Sequence, residues 1–221
     1  MERESMEFDV VIVGGGVAGD AAAITAANEG KTVAVVAKSS LSNSNTNMAQ
    51  GGMAAVMTSG DSFESHINDT IAVGMGLCDP AVVKQVVTGG PEAIEHLLAL
   101  GAEFDKTPDG ELDCSREGGH RHARVVHANG DATGREIQRV LTNAVTGHDL
   151  ITTFSNTFAL DIVTVGGEAY GVVAKASSGN LVLFSSPNII LATGGGGQLY
   201  RETTNPTIAT ADGVAMAFRA G

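Results

Sequence analysis

The sequence lacks the features that mark membrane, disulfide-rich and zinc-binding proteins. No apolar run approaches the ~18 residues of a membrane span, and residues 1–7 are charged rather than signal-like. Only two cysteines occur, Cys78 and Cys114, without a C-x-x-C pair, which indicates neither a disulfide framework nor a zinc site. We therefore expect a cytoplasmic protein that has no membrane partner.

Positive charge is also scarce. The chain has 13 Lys and Arg residues against 25 Asp and Glu residues, a net charge of −12. Sequence-independent nucleic-acid binding needs Lys and Arg to displace phosphate counterions, so we expect no nucleic-acid partner. The acidic balance is also compatible with a salt-rich source. With 221 residues, 43% of them apolar, the chain has the size of one domain or one and a half.

Residues 8–38 predict a βαβ unit. An apolar strand over Phe8–Val13 leads through glycines to an alanine-rich helix over Asp20–Asn28, and a second strand follows over Thr32–Ala37. Lys38 closes that strand where dinucleotide-binding folds usually carry Asp or Glu for the ribose hydroxyls. The sequence therefore argues against free NAD bound in the ordinary manner.

The glycines of this unit have the G-x-G-x-x-G spacing, with Gly14, Gly16 and Gly19 between the first strand and the helix. The first allows a tight turn, the second lets backbone approach a pyrophosphate, and the third lets the helix pack on its strand. The helix N-terminus then favours a diphosphate without basic side chains. The motif in this context predicts dinucleotide binding, and the alternative is a merely structural turn.

The loop over residues 39–60 is rich in Ser, Asn and Gly and predicts no regular element. Its hydroxyl and amide groups suit a ligand, and Gly51 and Gly52 permit a flat ring to lie against backbone. A plain solvated loop is the alternative. Helices are predicted from Ser62, from Pro80 with Asp79 as its N-cap, and again from Pro91.

Residues 106–134 hold the densest polar cluster. Three histidines at His120, His122 and His127 suggest a metal, but no Cys or carboxylate completes a ligand set, and we predict no metal site. Three arginines of the same segment, Arg116, Arg121 and Arg124, favour anion recognition. A solvated surface loop is the third interpretation.

The remaining chain predicts a capped amphipathic helix from Asp131 and then strands. Ile151–Phe154 and the following β-rich segments to Ser185 predict a meander of about three antiparallel strands. An apolar strand over Asn188–Ala192 runs into Thr193 and four glycines, which we expect beside the dinucleotide. A last helix follows Asp212.

This order of elements resembles the FAD domain of the fumarate reductase and succinate dehydrogenase flavoprotein family. The resemblance covers almost the whole chain and is carried above all by AQGGMAA at Ala49–Ala55. The runs SHINDTIAVGMGLCD, REGGHRHARVVH and DATGRE are similar to the branch that oxidises L-aspartate. The implied fold is α/β, a glutathione-reductase-like, Rossmann-type FAD-binding domain over residues 1–221 with an antiparallel β-meander.

The resemblance also implies which residues bind FAD. They are Gly14, Gly15, Gly16, Val17, Ala18, Gly19, Lys38, Ser44, Asn45, Thr46, Asn47, Met48, Ala49, Gln50, Gly51, Gly52, Thr193, Gly194 and Asp212. Ala211 stands where the family's A-T-G-D-G motif has glycine, and Asn45 stands where succinate dehydrogenases attach flavin through histidine. Non-covalent FAD is therefore implied.

By the same resemblance Glu117 orients the substrate's amino group. The implied reaction is oxidation of L-aspartate to iminosuccinate, with dioxygen or fumarate as electron acceptor, the first step of de novo NAD biosynthesis. Two alternatives stay open: a succinate dehydrogenase or fumarate reductase type of flavoprotein, and an FAD-binding fragment without turnover of its own.

The family carries a capping domain, a catalytic arginine and a return segment, all expected beyond Gly221. On this interpretation the domain is incomplete at its C-terminus and inactive alone. Candidate partners are a separate C-terminal half and a quinolinate synthase.

Overall fold

The computed structural model describes residues 3–221. The strands in this part of the chain are Arg3–Glu7 (β1), Val10–Val13 (β2), Val33–Val36 (β3), Met53–Ala54 (β4), Cys114–Ser115 (β5), Val125–Val126 (β6), Ile151–Phe154 (β7), Phe158–Val165 (β8), Glu168–Lys175 (β9), Leu181–Ser185 (β10) and Ile189–Leu191 (β11). The helices are Val17–Asn28 (α1), Asn45–Met48 (α2), Phe63–Val73 (α3), Pro80–Ala99 (α4), Thr133–Thr146 (α5) and Asp212–Ala220 (α6). The chain divides into two compact units, the first holding residues up to Met48 together with Leu141–Gly221 and the second Ala49–Val140.

The first unit contains a four-stranded parallel sheet in the order β11-β2-β3-β7. Every residue of β2 and β3 is buried, as expected for short β-branched runs covered on both faces. Helix α1 connects these two strands, which is the predicted βαβ unit. The parallel arrangement places the carboxyl ends of all four strands at one edge.

A second sheet of the same unit has the order β1-β10-β9-β8. Strands β8, β9 and β10 pair antiparallel, and β1 adds parallel to β10. The segment Ile151–Phe154, which the sequence grouped with these strands, belongs instead to the parallel sheet beside β3. Val11, Val36, Val172, Phe184 and Met216 share one buried core in this unit.

The second unit combines α3 and α4 with a small antiparallel sheet in the order β4-β6-β5. The predicted break at Pro91 is wrong, because α4 runs through it. Val87, Ile94 and Leu97 are buried on one face on both sides of the proline, so packing of that face outweighs the lost hydrogen bond. The predicted N-cap is confirmed: the Asp79 carboxylate accepts from the amides of Ala81 and Val82.

Candidate functional site

A cavity of about 680 Å³ lies in the first unit at the carboxyl edge of the parallel sheet. Val13, Val36 and Leu191, the last residues of β2, β3 and β11, all line it. Ligands of open α/β sheets bind outside the carboxyl ends of the strands. The cavity therefore occupies the position where this type of sheet places a ligand.

The glycine turn forms one wall because backbones approach too closely there for side chains. Gly14 has φ +115°, and a β-carbon on it would lie 2.2 Å from the carbonyl oxygen of Ala192. A β-carbon on Gly19 would lie 1.9 Å from the carbonyl oxygen of Gly14. These close contacts hold the start of α1 against the ends of β2 and β11, so the N-terminus of this helix, which favours an anion, lies in the cavity wall.

The structure brings most of the predicted cofactor residues together. Those that line the cavity are Gly14, Gly15, Gly16, Val17, Ala18, Lys38, Ser44, Asn45, Thr46, Thr193, Gly194 and Asp212. Gly19, Asn47 and Met48 belong to the same unit but lie outside the lining. Ala49, Gln50, Gly51 and Gly52 belong to the second unit.

The chemistry of the lining fits flavin adenine dinucleotide (FAD). The floor is apolar, with buried Val36 and Met216, and suits flat rings. The rim carries neutral donors and acceptors at Ser44, Asn45 and Thr46. The Thr46 hydroxyl oxygen accepts from the amide of Val17 at 3.0 Å, which ties this loop to the N-terminus of α1, where a diphosphate is favoured.

Lys38 and Asp212 form an ion pair in the cavity wall. The Lys38 ammonium also donates to the Thr210 hydroxyl at 2.6 Å, and that hydroxyl donates to Asp212 at 2.9 Å. The pair neutralises the Asp212 carboxylate, which would otherwise repel a diphosphate. Ala211, just before it, has φ 59°, a conformation that glycine adopts without strain and alanine does not.

Sequence reasoning missed several lining residues. They include Ser40, Asn43, Thr157, Phe158, Ala159, Ile208 and Met216. Thr157–Ala159 follow β7, and the cavity lies at the carboxyl end of that strand's sheet. The sequence pattern assigned Ile151–Phe154 to an antiparallel meander. It therefore did not predict that Thr157–Ala159 lie at the carboxyl edge of the parallel sheet, beside the cavity.

In the second unit, Glu117 presents a carboxylate that is 46% exposed. Its Oε1 accepts from His127 Nε2 at 2.7 Å. Two arginines of the same segment, Arg121 and Arg124, form ion pairs with carboxylates of the second unit. The Arg124 guanidinium is 0% exposed and pairs with both Asp61 and Asp69 at 2.7 and 2.8 Å. Arg121 pairs with Asp69 at 2.5 Å.

These ion pairs correct the interpretation of the segment as an anion-recognition loop. Arg124 is buried with its own carboxylates, Arg121 is 62% exposed but paired with Asp69, and Arg116 is exposed. Among residues 3–221, no group of three His, Cys, Asp or Glu side chains is arranged to hold a metal ion. His120 instead lies at 3.2 Å from Arg124 Nη1.

The buried cluster couples stability to pH. Burial raises the pKa of Asp61, but hydrogen bonds from Arg124 and Ser62 outweigh it and hold that pKa below its ordinary value. Burial also raises the pKa of Asp69, but hydrogen bonds from the Arg121 amide and from the Arg121 and Arg124 guanidinium groups outweigh it and hold that pKa well below its ordinary value. Folded carboxylates with lowered pKa values contribute stability above the unfolded value of ~3.9, and lose it as pH falls through the folded pKa.

No helix within residues 3–221 is long and apolar enough to cross a membrane. Both cysteines in this range are free thiols.

Comparison with known proteins identifies the chain's relatives. The profile of the FAD binding domain family matches residues 9–221. L-aspartate oxidase of Streptomyces coelicolor is 44% identical over 96% of this chain and 37% of that protein. The chloroplastic L-aspartate oxidase of Oryza sativa is 47% identical over 96% of this chain and 34% of that protein.

Solved structures agree on the fold. Mycobacterium smegmatis Sdh1 in complex with UQ1 superposes with a TM-score of 0.94 at 35% identity, covering 99% of this chain and 39% of that one. The E. coli quinol fumarate reductase subunit FrdA superposes with a TM-score of 0.92 at 35% identity, covering 98% of this chain and 37% of that one.

The chain thus spans between 34% and 37% of the length of these two curated relatives. The agreement of family profile, relatives and superpositions extends from the glycine turn to α6. The chain belongs to the FAD binding domain family, and it is similar to L-aspartate oxidases in sequence and to Sdh1 and quinol fumarate reductase in structure.

Proposed function

We propose that this chain is the FAD-binding part of an enzyme that oxidises L-aspartate to iminosuccinate, with dioxygen or fumarate as electron acceptor. On this proposal it acts in the cytoplasm, in the first step of de novo NAD biosynthesis. The observation that carries the substrate assignment is Glu117, a half-exposed carboxylate that, within residues 3–221, accepts a hydrogen bond from one side chain, His127. A carboxylate in that state suits a substrate ammonium.

The proposal assigns residues 1–221 to one FAD-binding domain of glutathione-reductase-like type. The parallel sheet with its α1 crossover and the antiparallel strands β8, β9 and β10 support this assignment. Gly14–Ala18 would enclose the diphosphate at the start of α1, where the helix N-terminus favours an anion. Ser44–Thr46 would add neutral hydrogen bonds, and the apolar floor would receive the rings.

Bound FAD supplies a two-electron acceptor for oxidation of the substrate's carbon–nitrogen bond. The protein's part is orientation: Glu117 pairs with the ammonium and fixes which face of Cα presents its hydrogen. The buried ion pairs of Arg124 anchor the segment that carries Glu117, since the Arg124 amide also donates to the Ser115 carbonyl at 3.1 Å.

FAD is expected to leave the protein intact on acid denaturation. Asn45 lines the cavity where a histidine would be needed for a covalent bond, and an amide lacks a nucleophilic ring nitrogen. Precipitation with acid followed by chromatography of the supernatant checks this. A precipitate that stays yellow after washing would show a covalent link and refute the prediction.

Replacing Glu117 with glutamine is expected to lower L-aspartate oxidation more than tenfold. A charge-assisted hydrogen bond contributes about 1.5 to 3 kcal/mol, and glutamine keeps the size of the side chain without its charge. Fumarate reduction should suffer less, because fumarate has no amine. The measurement is kcat/KM for both substrates in protein expressed from the complete reading frame. Equal losses on both would remove the amine-orienting role.

A succinate dehydrogenase or fumarate reductase activity is the second candidate. It is favoured by the superposition on Sdh1 at a TM-score of 0.94. The two functions need the same flavin site but differ at the substrate's amine, so comparison of L-aspartate with succinate separates them.

A further inference from the structure

Glu117 has one side-chain partner among the described residues that fixes its direction, and that partner is His127. We propose that His127 is a positioning residue that aims the Glu117 carboxylate at the ammonium of an amino-dicarboxylate substrate. The inference rests on the proposed function, because it takes Glu117 as the group that meets the amine. It adds His127 as a second residue that helps the protein distinguish dicarboxylates with an amino group from dicarboxylates without one.

The backbone that carries His127 is held by a buried strand and by hydrogen bonds. His127 directly follows β6, whose residues Val125 and Val126 are 2% and 0% exposed. The His127 carbonyl accepts from the Asp105 amide at 2.8 Å, and the Asp105 carboxylate accepts from the amides of Asn129 and Gly130 at 2.9 and 3.0 Å. The ring is therefore held at the end of a buried strand and before a fixed turn, with its side chain only 16% exposed.

Gly52 leaves the space that the imidazole needs. A β-carbon on Gly52 would lie 2.9 Å from His127 Nε2 and 2.4 Å from the Val126 carbonyl oxygen. Any larger residue would displace the nitrogen that donates to Glu117. Gly52 thereby supports the pair directly, in addition to the role that the sequence motif implies for it.

The segment around Glu117 is anchored on both sides, but the Glu117 side chain itself is not. The Arg124 amide donates to Ser115, and the Arg121 amide donates to the Asp69 carboxylate at 2.9 Å. Glu117 still has three rotatable side-chain bonds, and its carboxylate is half-exposed. The bond from His127 to Oε1 selects one orientation and leaves Oε2 to receive a substrate ammonium.

This arrangement predicts selectivity for ligands that carry an amino group. The pair recognises a primary ammonium on a small dicarboxylate, because a carboxylate that a neighbouring donor holds in one orientation is complementary to a cation. The orientation of Glu117 does not strengthen the binding of a dicarboxylate that lacks the amine. Loss of His127 should therefore weaken amino-dicarboxylate binding selectively.

The test compares His127→Phe with His127→Gln in FAD-loaded protein expressed from the complete reading frame. Phenylalanine keeps the ring's bulk without its donor, whereas the amide nitrogen of glutamine reaches the place of Nε2. Calorimetric titration of the dithionite-reduced protein, whose flavin can accept no further electrons from L-aspartate, gives Kd for L-aspartate and for succinate under anaerobic conditions. We expect His127→Phe to weaken L-aspartate at least tenfold and to change succinate less than twofold, and His127→Gln to recover most of the loss.

A double variant tests whether His127 acts on L-aspartate affinity through Glu117. In a Glu117→Gln background, His127→Phe should change L-aspartate affinity no further, because the group that it positions has lost its charge. Unchanged L-aspartate affinity in His127→Phe, or equal weakening of both ligands, overturns the inference while the proposed function stands. A wild-type protein that binds succinate as tightly as L-aspartate overturns the proposed function and this inference with it.

Discussion

Replacing Arg124 with leucine is expected to lower the free energy of unfolding by about 3 to 5 kcal/mol, the usual cost of breaking a buried ion pair from one side. The substitution leaves the carboxylates of Asp61 and Asp69, 0% and 5% exposed, without their shared cation. Urea denaturation of the variant and the wild type measures the difference.

Arg219→Leu is the matched control. Arg219 pairs with Asp161 at 2.6 Å, but the two side chains are 51% and 46% exposed, and exposed pairs contribute about 0 to 1 kcal/mol. Similar losses in the two variants would mean that the buried Arg124 cluster contributes no more to stability than an exposed ion pair.

The second large effect is expected from Gly19→Ala, which should weaken FAD binding about tenfold to a hundredfold. Its β-carbon would lie 1.9 Å from the Gly14 carbonyl oxygen, so α1 must shift away from the glycine turn that lines the cavity. Overpacking costs about 1 to 3 kcal/mol, and each 1.4 kcal/mol is about tenfold in affinity. Titration of the apoprotein with FAD, followed by flavin fluorescence, measures the change.

Gly89→Ala provides the control for that experiment. Gly89 has open space around the position of a β-carbon and lies within α4, where alanine is favoured by about 1 kcal/mol. FAD affinity should stay at the wild-type value. If Gly19→Ala also kept that value, the glycine turn would not be the diphosphate site.

Local patterns predicted the parts of the fold that depend on neighbours in sequence. The βαβ unit follows from two β-branched runs and a glycine spacing, and the start of α4 from Asp79 and Pro80. Most of the predicted cofactor residues line one cavity because they follow the carboxyl ends of parallel strands. The same argument would have found Thr157–Ala159, had β7 been assigned to that sheet.

The rest depends on contacts between residues far apart in sequence. Arg124 meets Asp61 at a separation of 63 residues, so its burial cannot be inferred from the polar segment around it. Strand β1 is a charged run that pairs with β10, and no local pattern indicates that partner. The continuity of α4 through Pro91 is set by the buried face that the helix presents in the second unit.

The most direct test of the central claim is anaerobic mixing of FAD-loaded protein, expressed from the complete reading frame, with L-aspartate or with succinate. The visible absorbance of the flavin reports its reduction. The account predicts rapid bleaching by L-aspartate and little or none by succinate over the same time. Bleaching by succinate as fast as by L-aspartate, or none by L-aspartate in protein with stoichiometric FAD, would contradict it.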